Sequence, residues 1–87
     1  MESTIFIKIL SPFQTELEEQ VSYIEVHTAT GQIGIYPNHI PLITNIEKCK
    51  LKIKLQDGTL KEFTISEGFL RLINNECNII TKNLIPC

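Results

Sequence analysis

The chain has 87 residues, 43% of them hydrophobic and 21% charged, with a formal net charge of −2 at pH 7. That length makes one domain, whose core hides only about 60–65% of the surface that the unfolded chain exposes. The slightly acidic balance leaves no basic footprint for nucleic acid, and no stretch approaches the roughly 20 apolar residues of a transmembrane helix.

Strand signals recur along the chain. Residues 4–10 alternate through Ile5, Ile7 and Ile9 and read as a first strand, not as a signal peptide, because Lys8 interrupts them and no small-residue cleavage site follows. Residues 14–21 are the one helical candidate, but Leu17 is their single internal apolar residue; the segment reads as a loop or short turn. Strands follow over 21–27, with Ile24 and Val26 opposite Tyr23 and Glu25, and over 32–36. A short, irregular strand covers 43–46. Leu51, Ile53 and Leu55 alternate with Lys50, Lys52 and Lys54, the clearest inside–outside pattern in the sequence. Asp57-Gly58 supplies a hairpin turn with residues suited to left-handed positions. The chain returns over 60–66, bends at Glu67-Gly68, and forms strands over 69–73 and 76–81 around the tight turn Asn74-Asn75. Residues 82–87 read as an end segment in which Pro86 discourages sheet pairing. Short strands with frequent turns make an all-β, flattened antiparallel sandwich of two packed sheets. It forms a single domain over 1–84 with a tail at 85–87.

Chemistry-bearing motifs are sparse. Three cysteines, Cys49, Cys77 and Cys87, are an odd and widely spaced set, better read as reduced thiols than as a disulfide framework. His27 and His39 lack Cys or His partners at zinc spacing. A pairing of Cys49 or Cys77 with His27 or His39 is formally a nucleophile and base, but no nucleophile motif surrounds either cysteine. No phosphate loop or paired-carboxylate motif is present. The reading is no catalytic residue, no cofactor and no metal.

The densest information lies in Gly31-Gln32-Ile33-Gly34-Ile35-Tyr36-Pro37-Asn38-His39-Ile40-Pro41-Leu42-Ile43-Thr44. Pro37 ends a strand, Asn38 tolerates a left-handed turn, and Pro41 keeps His39-Ile40 from coiling into a helix. His39 is thereby displayed at a rigid corner. This run resembles a signature of the epsilon subunit of F-type ATP synthases. The likeness extends from about Ile7 to Leu84 and includes Asp57-Gly58 and the segment from Glu67-Gly68-Phe69 to Ile79-Ile80. Cys49 stands where the family usually has glycine, and Glu67 replaces the first glycine of a common pair. The family's carboxy-terminal pair of helices, with its inhibitory switch and, in some members, an ATP site, is absent from this sequence; neither property is carried over.

The resemblance implies a non-catalytic central-stalk subunit that binds the gamma subunit and the polar loops of the c-ring, coupling ion translocation to ATP synthesis or hydrolysis. It implies a peripheral position on the cytoplasmic face of a bacterial inner membrane, or on the stromal side of a thylakoid, one copy per complex and no membrane insertion. The c-ring contact maps onto Gln32, Asn38, His39, Ile40 and Leu42, with neutral Gln32 where many relatives carry an acid. Gamma contacts map onto Ser11, Thr44 and Ser66. Each residue also has a plainer role: His39 as an imidazole bonded within its own turn, the lysine row as a solvated face, Cys49 and Cys77 as small apolar groups. The alternative for the whole chain is a generic β-sandwich module that binds a peptide or other ligand outside any ATP synthase.

Overall fold

A computed structural model describes residues 4–12, 14–28, 31–82 and 84–86. The described chain is all strand: β1 (Ile5–Leu10), β2 (Thr15–Thr28), β3 (Gly31–Ile35), β4 (Leu42–Ile46), β5 (Cys49–Leu55), β6 (Leu60–Ile65), β7 (Gly68–Ile73), β8 (Glu76–Thr81) and β9 (Leu84–Pro86). Strand β2 holds the architecture together. Its first half pairs with β1, and its second half lies between β3 and β5. One layer therefore runs β2-β1-β8-β7-β4 and the other β3-β2-β5-β6-β9, with a single link between β2 and β4 at Thr28↔Ile46. This is the expected sandwich, with one strand shared by both sheets.

The strand crosses from layer to layer at a bulge between Val21 and Tyr23. A bulge bends its strand and sharpens the local twist. Here Ser22 occupies it, its hydroxyl lying 3.1 Å from the Lys54 carbonyl and 3.3 Å from that of Leu55. Alternation then does the rest. Ile5, Ile7 and Ile9 of β1, Ile24 and Val26 of β2, Leu51 and Ile53 of β5, and Leu70 and Leu72 of β7 all face inward and are fully or almost fully buried. Along one side the layers are closed by a carboxylate and an ammonium, Glu19 of β2 and Lys61 of β6, 3.6 Å apart. Such a half-exposed pair is worth about 0–1 kcal/mol.

Three expectations are corrected. Residues 15–21 form the first half of β2, because pairing with β1 sets Leu17 opposite Ile9 and packs it against the core. Tertiary context overrides the local composition there. Residues 42–46 are not irregular; they keep an unbroken antiparallel ladder with β7. Residues 84–86 are not a free tail but a short edge strand, with Pro86 opposite Phe63, as proline tolerates at a sheet edge. The tail thiol expected at Cys87 lies outside the described residues.

The turns follow their chemistry. Asn74 and Asn75 both have positive φ, 51° and 62°, the pattern of a two-residue type I′ hairpin. At the other hairpin only Gly58 is left-handed, at φ 92°. The Gly58 N–H donates to the Leu55 carbonyl at 3.0 Å, and the Thr59 N–H to Asp57 Oδ1 at 2.9 Å. That is an ordinary turn followed by a glycine bulge, and the Thr59 bond is the chief cause holding the Asp57 carboxyl below its usual pKa.

Gly68 opens β7 opposite Thr81, where a Cβ would collide with the Ile80 backbone carbonyl. Backbone in a paired strand cannot step aside. Gly68→Ala is therefore expected to cost about 1–3 kcal/mol, whereas truncating exposed Ile85 should change stability by less than about 0.5 kcal/mol. Urea unfolding of both variants checks the contrast.

Candidate functional site: two apolar displays at opposite ends

The strand register sorts the loops into two groups. The connection 36–41, the Asn74–Asn75 turn and the turn 56–59 lie at one end of the sandwich; Ser11 and Pro12, the facing strand ends Thr28 and Gly31, and the connections 47–48 and 66–67 lie at the other.

At the first end, residues 36–41 carry the chain from β3 in one layer to β4 in the other. Asn38 has φ 68°, the left-handed turn expected of it. Its N–H donates to Asn75 Oδ1 at 2.6 Å, and Asn75 Nδ2 donates back to Asn38 Oδ1 at 3.2 Å. His39 is half-buried, and its Nδ1 lies 2.7 Å from the Ile40 carbonyl. The carbonyl can only accept, so Nδ1 carries the proton. Ile40, 75% exposed, stands out between these two restraints. Tyr36 is 65% exposed and lies on Tyr23, with ring centroids 4.7 Å apart. Gly34 makes that pairing possible: a Cβ there would come within 2.6 Å of the Tyr23 hydroxyl. Tyr23 donates to Glu25 Oε1 at 3.1 Å. Partial burial first, and then this bond and the carboxylate's charge, hold its phenol above the ordinary pKa.

The residues assigned to a ring contact do not form one patch. Asn38, His39 and Ile40 share the corner. Leu42 begins β4 opposite Leu72 and packs against the core. Gln32 stands near the start of β3, about 13 Å of extended chain from Tyr36. There it faces His27 across the ladder, with Nε2 to Oε1 3.1 Å.

At the second end the outer face of β7 and β8 is apolar. Phe69 and Ile80 are opposite one another, 40% and 54% exposed, and border a shallow depression with Pro12, Glu67 and Lys82. Ser11 precedes this surface in the chain, and its N–H donates to the Gln14 carbonyl at 2.9 Å. Ser66 flanks it too; its carbonyl accepts from Thr81 Oγ1 at 2.9 Å. Thr44 is not brought here: it is half-buried and shares a face with inward Leu70, its cross-strand partner. Sequence reasoning missed Phe69, Ile80 and Asn75. The alternation of β8 marks Ile80 as an outward apolar residue, a signal present but unused; nothing local marks the Asn75 clasp.

The lysine row lies on the outer face of β5. Glu25 and Glu62 bracket Lys52 at 3.8 and 4.0 Å, so the middle of the row is largely neutralised. Cys49 and His27 border a shallow depression beside it, where the ring's bond goes to Gln32 and not to the thiol. Among the described residues no group of three or more His, Cys, Asp or Glu could hold a metal ion. Cys49 and Cys77 are free thiols.

The architecture defines a class, the two-layer β-sandwich with one strand common to both sheets. Comparison with known proteins gives the family: the model of the ATP synthase Delta/Epsilon chain β-sandwich domain matches residues 4–86, and the chain belongs to that family. It is 40% identical over 83 residues to the ATP synthase epsilon chain of Caldanaerobacter subterraneus subsp. tengcongensis, covering 94% of this chain and 59% of the relative. It is 33% identical over 82 residues to that of Lawsonia intracellularis, covering 94% and 61%, and 34% identical over 80 residues to the chloroplastic chain of Nicotiana tabacum, covering 92% and 59%. The chain thus spans about three-fifths of the length of these curated relatives. Its fold matches, with TM-score 0.93 and 20% identity, a chain in the Euglena gracilis mitochondrial ATP synthase structure of OSCP, F1 and c-ring, covering 99% of this chain and 55% of that one. A chain in the Tetrahymena thermophila central stalk and c-ring structure gives TM-score 0.74 at 18% identity, covering 93% and 65%.

Burial pushes the Cys77 thiol up to about 12 from 9.0. In the folded chain it stays protonated while the unfolded chain ionises above pH 9, so the unfolded state binds fewer protons there. Stability is expected to be unaffected by this group below pH 9 and to fall by about 1.4 kcal/mol per pH unit between 9 and 12. Cys77→Ala should flatten that alkaline slope. Iodoacetamide at pH 8 should leave native Cys77 unmodified and label it after unfolding; labelling of the native thiol would contradict the burial argument.

Proposed function

We propose that this chain is the sandwich part of an epsilon-type central-stalk subunit. It acts mechanically, linking the gamma subunit to the c-ring in an ATP synthase, and carries no active site of its own. The family match supports the reading, and the observation that carries it is the pair of unlike apolar displays on one stiff body. A coupling part must touch two neighbours without bending between them. The shared β2 strand meets the second requirement, because neither sheet can pivot without breaking its ladder. The displays meet the first. The corner with Ile40 and Tyr36 faces the c-ring loops, and the surface of Phe69, Ile80 and Pro12, flanked by Ser11 and Ser66, faces gamma. Gln32 and Thr44 lie outside these surfaces and are not needed by them. In such a complex the chain sits at the membrane surface without entering it, on the cytoplasmic face in bacteria or the stromal side in plastids.

Binding to the cognate gamma subunit and to the cognate c-ring, each measured separately, tests the assignment. Ile80→Glu should weaken gamma binding at least tenfold and leave ring binding within twofold; Ile40→Glu should do the reverse. Circular dichroism of both variants should match the parent, since both side chains are more than half exposed. Failure of the parent chain to bind either partner in mild salt would overturn the proposal.

A further inference from the structure

We propose that Asn75, in the β7–β8 hairpin, is a positioning residue for the corner: its side-chain amide holds Asn38 so that Ile40 is presented in its binding shape. The inference rests on the reading that this corner meets the c-ring.

The two amides engage reciprocally. Asn75 Oδ1 accepts the Asn38 N–H at 2.6 Å while Asn75 Nδ2 donates to Asn38 Oδ1 at 3.2 Å, across 37 positions of sequence. One planar side-chain amide thus holds both the backbone N–H and the side-chain oxygen of the same residue, which fixes orientation as well as distance. The Asn75 side of the clasp is firmly seated. Its backbone is half of a type I′ turn at φ 62°, its own carbonyl accepts the Phe6 N–H at 2.8 Å, and the strands it joins pair at Ile73↔Glu76. Asn38 is left-handed too, at φ 68°, but it lies in a connection between layers and not in a paired hairpin. Proline at 37 and 41 restricts the approach and the exit, but neither ring sets the angle at Asn38. The clasp does so directly. One residue beyond, His39 secures the carbonyl of Ile40. Ile40 is therefore pinned on both sides and points outward at 75% exposure. A side chain held in its bound orientation loses less freedom on docking, which raises affinity without a new contact.

Asn75→Gly isolates this role. Glycine is favoured at the second position of a type I′ turn, so the hairpin survives while the amide is lost. The full chain carrying Asn75→Gly is expected to unfold at the parent temperature or above it. Hydrogen exchange at the Asn38 amide, which the clasp bonds, should quicken about tenfold, and affinity for the cognate c-ring in detergent should fall about tenfold, equal to about 1.4 kcal/mol. Gamma binding should stay within twofold. Asn75→Asp keeps the acceptor for the Asn38 N–H, and the Asn38 amide can rotate to donate to it, so this variant should restore most of the ring affinity. Parent-like ring binding by Asn75→Gly would overturn the inference and leave the proposed function standing. Absence of ring binding by the parent chain would overturn both. A weakened ring contact accompanied by an equal loss of gamma binding or a lowered unfolding temperature would reduce Asn75 to a structural residue and reject the positioning role.

Discussion

The structure depends on one strand serving two sheets. β2 leaves β1 at the Val21–Tyr23 bulge and continues as the partner of β5 and β3. The buried aliphatic side chains on either side of the bulge belong to one continuous core. Without that bend the layers would be joined chiefly through side-chain packing and loops. With it, covalent backbone runs from one layer into the other, and a force applied to β1 or β8 reaches β5 through hydrogen-bonded ladders. In a small domain, where the buried fraction is modest, this continuity supplies stiffness that core volume alone does not.

The same constraint places the two surfaces. Because β2 and β3 lie in one layer and β4 in the other, the segment 36–41 must cross an end of the sandwich, and it brings Tyr36, Asn38 and Ile40 with it. The Asn74–Asn75 turn closes the neighbouring strands at that end, which is why two asparagines 37 positions apart meet. The apolar row of Phe69 and Ile80 arises differently, from cross-strand pairing on the outer face of β7 and β8. One display is a loop feature and the other a sheet feature, so each can be altered without disturbing the other.

Much of this was legible in the sequence, for physical reasons. Period-two alternation announced β1 and β5, because those strands each bury one face. The Asn38, Asn74-Asn75 and Gly58 turns were readable from residues that tolerate positive φ, and the family resemblance from the proline-bounded run. What was not legible depended on partners distant in sequence. The Glu-rich residues 16–19 are extended only because β1 lies beside them. Residues 84–86 are a strand only because β6 offers a free edge. The amide clasp required the coincidence of two left-handed asparagines that no local pattern relates. Gln32 was grouped with the corner because it is near in sequence, but an extended strand separates them in space.

Site-directed photo-crosslinking in the assembled complex tests the central claim most directly. With a photoreactive residue at position 40 in one preparation and at position 80 in another, the account expects position 40 to label only the c-ring and position 80 only gamma. Labelling of one partner from both positions, or of neither, would contradict the view of this chain as a stiff link between two different neighbours.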